Sequence, residues 1–254
     1  MSQKLRQEEI LRILEHRGYC TVRYLINALH YSSATVNRDL NSMQTMGLVK
    51  RSYGGVEAVD RSRSLPLPQR QLYMKKEKRR NAEVAATLIE NGDTVFLDGS
   101  TSVQYIAPFL AEKKDLRVIT NSMLLATELA EYDIEVICLG GKILERPHVL
   151  GGEETVENAA KYRPDKMFFS FNRILPSGYV CTSGGYTYLL YRQLLKNSRQ
   201  AYLLTDHSKL VEETGQTLCD FGELTGVIAD FEFADETKAL YPKTKFICTA
   251  KKDK

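Results

Sequence analysis

The segment TVFLDGSTS, residues 94–102, carries the densest chemistry in the chain. An apolar run ends at Asp98, and Gly99, Ser100, Thr101 and Ser102 follow where a helix is expected to open. Small residues let backbone N–H groups converge there, and three hydroxyls add donors. That is the makeup of an anion cradle suited to a phosphate monoester. The same residues also make an ordinary N-cap turn that holds nothing. Three other apolar runs end alike, at Thr120-Asn121-Ser122, Gly140-Gly141-Lys142 and Asp206-His207-Ser208-Lys209. Ligands of open α/β sheets sit beyond the carboxyl ends of strands, so the four ends are expected to converge on one crevice. There Lys209 would neutralise a phosphate, and Asp98 or Asp206 would accept hydrogen bonds from sugar hydroxyls. His207 is expected to be a cap or a supporting residue, not a base.

A second set lies near the N-terminus. After Ser32, an N-cap candidate, Val36, Leu40 and Met43 recur at i, i+4 and i+7. A helix that buries that face turns Ala34, Arg38, Asn41 and Thr45 outward, with Ser33, Thr35 and Asn37 at its flanks and leading end. These side chains suit a DNA duplex. Arg38 can take a guanine edge or a phosphate, Asn37 or Asn41 an adenine, and Ser32 and Ser33 a phosphate at the helix N-terminus. Ala34 is small enough for close approach. The alternative for Arg38 is a pair with a neighbour such as Asp39 or with a solvent-exposed Glu.

Positioning these groups requires two folded units. Residues 1–58 show three short helical patterns and then LVKRSYGGVEAV, read as two strands around Gly54-Gly55. That is the outline of a winged helix-turn-helix, whose hairpin would bring Lys50, Arg51 and Tyr53 to the flanking backbone. Residues 59–76 hold Arg61, Arg63, Pro66 and Pro68 and are expected to be an extended basic linker. From about Tyr73 a helix is expected, with Val84, Leu88 and Ile89 at helical spacing. Over 77–254, apolar runs at 94–98, 116–120, 134–140, 166–171, 201–206, 225–230 and 245–249 read as buried strands. Helical patterns intervene at 102–112, 122–131, 153–161 and 187–198. Strands alternating with helices predict a mostly parallel α/β sheet.

Charge supports the division. The net +3 over 254 residues hides a basic first third: residues 1–80 hold 16 Lys+Arg and 7 Asp+Glu, and the rest hold 19 and 25. Most of that excess belongs to residues 61–80, with 8 Lys+Arg against one Glu. A basic segment beside an acidic remainder points to a nucleic-acid partner. The five cysteines form no C-x-x-C pair, and the four histidines sit near none. A zinc site, a metal cofactor or a disulfide framework is therefore not expected, and the cytosol is the expected compartment. No apolar run is long enough to span a membrane, and the charged MSQKLRQEEI is no signal peptide.

YSSATVNRDLNSMQTMGLVKRSYGG resembles the DNA-binding signature of the DeoR family of bacterial repressors. The family pattern is Ser, then Thr-aliphatic-Arg-Arg-Asp-Leu, then Gly-Leu-aliphatic-x-Arg and a Gly-Gly wing. Ser32, Thr35, Val36, Arg38, Asp39, Leu40, Gly47, Leu48, Arg51, Gly54 and Gly55 match it, and Asn37 replaces the first Arg of the pair. From about Glu77 to Cys248 the chain is similar to that family's sensor domain. The matching segments are Glu77-Lys78, Gly92-Asp93-Thr94, Leu97-Asp98, Thr101, Thr120-Asn121-Ser122, Gly140-Gly141, Asp165 with Phe168, and Asp206-His207-Ser208-Lys209. Two departures stand out. Ser100 and Ser102 replace a Gly and a Thr of the family loop. The stretch 178–193 has Tyr186, Tyr188 and Tyr191 but no carboxylate where the family commonly has one; these tyrosines are ligand contacts, core or subunit interface.

The resemblance implies an α/β sensor domain of ribose-5-phosphate-isomerase-like type. It also implies an operator-binding repressor of a sugar-utilisation operon, a phosphorylated sugar as effector, and a homo-oligomer that spans repeated half-sites. The competing expectation is a sugar-phosphate isomerase fused to a DNA-binding module. Isomerisation needs a carboxylate base at the C1–C2 carbons, and residues 166–205 contain no Asp or Glu. Walker A, H-E-x-x-H and G-x-S-x-G motifs are also missing from the sequence. Regulation without turnover is therefore expected.

Overall fold

The computed structural model describes residues 3–17, 19–45, 48–52, 55–58, 67–144, 148–182, 184–212 and 216–250. The chain divides into two compact units, Met1–Arg70 and Gln71–Lys254. The first contains α1 (Gln3–Arg17), β1 (Tyr19–Thr21), α2 (Val22–Leu29), α3 (Ser33–Thr45), β2 (Val49–Ser52) and β3 (Gly55–Ala58). Its core joins Ile10 and Leu14 of α1, Leu25 and Leu29 of α2, and Val36, Leu40 and Met43 of α3 to Cys20, Val49 and Val56 from the strands. The spacing of Val36, Leu40 and Met43 in the sequence therefore marks the buried face of α3. Thr21 caps α2 by accepting from the Tyr24 N–H, and the Ser32 hydroxyl accepts from the Thr35 N–H at the start of α3.

The wing departs from expectation in two ways. It has a third strand, in the antiparallel order β1-β3-β2. Three residues with one buried side chain are too short a pattern to read as a strand. Pairing of Ser52 with Gly55 places Gly55 inside β3, not in the turn. A Cβ there would fall 2.0 Å from the Tyr19 hydroxyl oxygen, so only glycine lets the Tyr19 side chain lie across the strand. Tyr53, Gly54 and Gly47 lie outside the described residues, as does 59–66 of the expected linker.

From Leu67 the chain is helical, not extended. The helix α4 (Leu67–Leu72) has Pro68 in its first turn, where a missing N–H costs nothing. The next, α5 (Lys75–Thr87), leads into seven strands: β4 (Thr94–Leu97), β5 (Arg117–Thr120), β6 (Glu135–Cys138), β9 (Lys166–Phe169), β12 (Gln200–Thr205), β14 (Gly226–Ala229) and β15 (Lys245–Cys248). All seven expected runs are these strands. They pair in parallel in the order β15-β14-β12-β9-β4-β5-β6. Alternate residues face opposite ways. Val95, Leu97, Phe168, Tyr202, Leu204 and Ile228 pack under α5 and α7 (Met123–Ala130). Phe96, Met167, Phe169, Leu203 and Val227 pack under α8 (Glu153–Ala160) and α9 (Gly185–Asn197). Cover on both faces explains why the strands read as continuous apolar runs.

Three features were not legible. The pair β7 (Lys142–Ile143) and β8 (Leu150–Gly151) and the antiparallel sheet of β10 (Arg173–Ile174), β11 (Tyr179–Thr182) and β13 (Gln216–Asp220) are short, and a bulge at Val180/Cys181 breaks the alternation. The helix expected over 102–112 is a single turn, α6 (Thr101–Gln104), followed by a 3-10 turn at Ala107–Phe109. Pro108 has no N–H for the Gln104 carbonyl, so the helix cannot run through it.

Candidate nucleic-acid interface and ligand site

On α3, Arg38 is exposed and makes no hydrogen bond or ion pair among the described residues. The alternative partner, Asp39, is turned the other way. It is 1% exposed and accepts two bonds from Arg6 of α1, at 2.7 and 3.2 Å. This pair staples α1 to α3 and leaves Arg38 unmasked. Ala34 and Asn41 are also exposed, as are Ser32 and Ser33 at the leading end, with Thr35 partly covered. Lys50 is exposed on β2. Asn37 and Asn41 differ from the adenine-reading expectation, because their amide oxygens already accept from Arg51, at 2.7 and 2.6 Å. The Asn37 amide N–H in turn reaches the Ser33 carbonyl at 2.9 Å. The wing arginine thus lies along α3.

In the second unit, the strand order reverses between β4 and β9. From β4 the chain moves to β5 and β6 on one side, and from β9 to β12, β14 and β15 on the other. Crossovers that diverge leave a crevice at the carboxyl ends of those two strands. Asp98 follows β4, Ser170 follows β9, and Asp206 to Lys209 follow β12. They meet. The Lys209 ammonium donates at 2.7 Å to both the Ser102 and the Ser170 hydroxyls and lies 3.3 Å from Asp206 Oδ2. Lys78 of α5 donates at 3.1 Å to the Thr101 hydroxyl. Both lysines are buried, at 4% and 8% exposed.

An ammonium can only donate, so each hydroxyl it touches must accept and turn its own proton elsewhere. The Ser170 proton goes to the Leu204 carbonyl at 2.6 Å. Those of Thr101 and Ser102 remain for an acceptor. The residues present therefore build a cluster of donors around two ammonium groups. The helix dipole adds little, since α6 is one turn long.

The carboxylates hold this cluster together. Asp98, 1% exposed, accepts from the Ser100 N–H at 2.9 Å, the Ser170 N–H at 3.0 Å and the Tyr191 hydroxyl at 2.9 Å. Burial pushes its carboxyl above the usual range, opposed by those bonds. Burial alone would do the same to Asp206. The Lys209 charge, the Ser208 hydroxyl and the Lys78 charge instead hold Asp206 below the usual range. Asp98 and Asp206 thus face inward, away from the sugar-hydroxyl role expected of them. Ser100 caps α6 by accepting from the Val103 N–H at 3.2 Å.

The ends of β5 and β6 serve differently. Asn121 accepts from the Gly99 N–H and donates to the Leu150 carbonyl, while Thr120 and Ser122 close their own turn. Gly140 and Gly141 lie two strands away from Asp98, roughly 10 Å at the usual spacing. Thr155 and Asn158 of α8 bond to the carbonyls of Gly140 and Leu139. A Cβ on Gly141 would strike the Thr155 hydroxyl at 2.1 Å, so this glycine admits a helix. His207 pairs through Nδ1 with Asp230 at 2.7 Å, a supporting contact.

Sequence reasoning missed Ser170 and Lys78 as site residues and left Tyr191 open among ligand contact, core and interface. Lys78 stands in a segment that resembled the family, and Ser170 ends an apolar run, but neither lies in a cluster of polar residues. Tyr191 packs among Phe96, Phe169 and Phe171 and points its hydroxyl at Asp98. Tyr188 borders the same core, and Tyr186 is 51% exposed. Among the described residues no group of His, Cys, Asp and Glu is placed to hold a metal ion, and no helix is long and apolar enough to cross a membrane.

A winged helix-turn-helix with an unmasked arginine on its third helix, followed by a doubly wound α/β unit, defines a two-domain DNA-binding regulator. Two family models match the chain: the DeoR-like helix-turn-helix domain over residues 6–62 and the DeoR C-terminal sensor domain over 74–231. The lactose phosphotransferase system repressor of Staphylococcus aureus is 32% identical over 96% of this chain and 98% of its own. The glycerol-3-phosphate regulon repressor of Haemophilus influenzae is 29% identical over 89% and 88%. Among solved structures, ribose 5-phosphate isomerase A from Neisseria gonorrhoeae aligns with 54% of this chain and 54% of its own at 17% identity, with a TM-score of 0.40. The chain belongs to the DeoR family of transcriptional regulators.

Proposed function

We propose that the protein represses a sugar-utilisation operon and that a phosphorylated sugar in the second domain sets its operator affinity. The observation that carries the effector reading is the pair of buried ammonium groups, Lys78 and Lys209, polarising the Thr101 and Ser102 hydroxyls at the switch point. Each of those hydroxyls accepts from an ammonium and so keeps its own proton to offer, which an anionic acceptor would take. A phosphate would take the hydroxyls of Thr101 and Ser102, with Ser100 and the Gly99 turn beside them, and the sugar would extend past Ser170. Asn121, which accepts from the Gly99 N–H, would hold that turn in place. Curated relatives whose names include a lactose phosphotransferase system and a glycerol-3-phosphate regulon support the same ligand class.

On DNA, residues 1–58 would bind one half-site. Ser32, Ser33 and Lys50 would meet phosphates, and Arg38, with Ala34 and Thr35 beside it, would meet bases. A homo-oligomer would span two half-sites, and the effector would favour an arrangement that no longer fits their spacing. A DNA operator as its target would put the protein's work in the cytoplasm. No turnover is proposed, because the carboxylates at the strand ends are engaged: Asp98 by three donors, Asp206 by Lys209 and Ser208.

The test is thermal unfolding of the full chain against pentose, hexose and triose phosphates and their unphosphorylated parents. A ligand at 100 times its dissociation constant adds about 2.7 kcal/mol of stability. Stabilisation by a phosphorylated sugar and not by its parent is the expected result. Equal shifts would remove the phosphate from the reading, and turnover of the same compounds in an isomerase assay would replace regulation by catalysis.

A further inference from the structure

We infer that Arg51, a residue of the wing, reads a base of the operator from the recognition helix, and that Asn37 and Asn41 are the positioning residues that hold it there. The inference rests on the DNA-binding reading and goes beyond it, since a wing cation would otherwise be assigned to the flanking backbone. Three observations carry it. First, both terminal nitrogens of Arg51 are occupied by α3: Nη1 donates to Asn41 Oδ1 at 2.6 Å and Nη2 to Asn37 Oδ1 at 2.7 Å. Second, Asn37 is itself fixed, donating from its amide to the Ser33 carbonyl at 2.9 Å and lying 3.2 Å from the Ser33 hydroxyl. Ser33, Asn37 and Asn41 are spaced i, i+4, i+8, so they line one side of α3 next to the outward Arg38. Third, Asn41 is exposed, so the guanidinium it holds lies at the rim of the face that enters the groove.

Donor arithmetic favours base reading. A guanidinium has five N–H groups in a rigid plane. Two go to the asparagines, which leaves donors on both terminal nitrogens and on Nε. A planar fork held on two amides keeps its orientation, as recognition of guanine O6 and N7 requires; a phosphate, accepting from any direction, requires no such clamp. The asparagines are spent as acceptors toward Arg51, so they present an arginine to the DNA instead of their own amides. At position 37 an arginine would repel Arg51, whereas an amide oxygen retains it.

The experiment selects duplexes from a random-sequence pool with the full-length protein. It then measures binding of the selected duplex, and of each single-base-pair change in it, to wild type and variants. Arg51→Lys keeps the charge and cannot bridge two amides. It should lose about tenfold of discrimination at one guanine-containing base pair, with the other positions unmoved. Asn37→Ala should lose discrimination at that same pair. Asn37→Asp, which gives up the bond to the Ser33 carbonyl but keeps a charged acceptor for Arg51, should retain more of that preference than Asn37→Ala, at lower overall affinity; equal loss in the two variants would remove Asn37 as a positioning residue. Uniform weakening of every duplex by Arg51→Ala, with the salt dependence shallower by about one ion, would make Arg51 a phosphate contact and overturn the inference while leaving DNA binding intact. Failure of the wild type to enrich any sequence would overturn both.

Discussion

The two polar clusters of this protein are built on opposite plans. On α3 the groups proposed to meet DNA are displayed: Arg38 is exposed and unpaired among the described residues, and Arg51 is clamped along the helix by Asn37 and Asn41. In the second domain the cluster proposed to take the effector is enclosed, with Lys78, Lys209, Asp98 and Asp206 all under 10% exposed and tied together through Thr101, Ser102 and Ser170. The difference follows from the size of the partner. A duplex cannot enter a protein, so its readers must stand in water and gain most from orientation. A small anion can be surrounded, so its donors can be dry and strong, provided that every buried charge has a partner while the site waits. Substitutions should therefore cost binding without stability in one region and stability together with response in the other.

The largest expected effect is in the enclosed cluster. Lys209→Ala removes the cation facing Asp206 and the donor to Ser102 and Ser170. A buried partner left unpaired typically costs about 3 kcal/mol or more. Thermal unfolding should show it as a drop of several degrees in Tm, and an unchanged Tm would break the contrast. On the displayed face, Arg38→Ala should weaken operator binding by about 1–3 kcal/mol and leave stability within about 0.5 kcal/mol. Anisotropy titration with operator DNA beside a denaturant melt reads both quantities; loss of stability instead of affinity would reverse the assignment.

Smaller effects sharpen the picture. Ser100→Ala removes the cap on the Val103 N–H, worth about 1 kcal/mol, and should blunt the effector response while DNA binding without effector stays intact. If effector release is as complete as in wild type, Ser100 is a cap alone. The smallest effect concerns pH. The depressed Asp206 carboxyl contributes stability that is present above its unfolded pKa and is lost as pH falls through the folded value. The raised Asp98 carboxyl has the opposite sign, contributing stability present below its unfolded pKa and lost as pH rises through its folded value. Asp206→Asn should therefore flatten the acid limb of a stability–pH curve, and Asp98→Asn the limb above it. Matching curves for the two variants would show that the carboxylates share one environment.

Periodicity carried much of the fold. The five inner strands of the parallel sheet were legible because each is buried on both faces, which demands an unbroken apolar run, and the half-buried edge strands β6 and β15 keep shorter runs of the same kind. The core faces of the first three helices were legible because each buries one stripe. The one-turn α6 and the strands β10, β11 and β13 escaped, because a proline or a bulge interrupts the local pattern before it repeats. For the candidate sites, residue type singled out Thr101, Ser102 and Lys209, which lie in polar clusters at strand ends and come together in the fold. It could not find Ser170 or Lys78, whose neighbours in sequence say nothing of their neighbours in space.

By itself, then, the sequence determined which residues are buried, which helix faces outward and which strand ends carry donors, since these depend on local spacing and on the chemistry of side chains. Only the tertiary structure decided the strand order, and with it the switch point that brings β4, β9 and β12 to one place. It alone assigned Asp39 to Arg6, the two asparagines to Arg51, and Tyr191 to Asp98. Each of those pairs closes a loop of ten to nearly a hundred residues. Contacts across such separations are chosen by the packing of the whole chain, and no short window of sequence contains them.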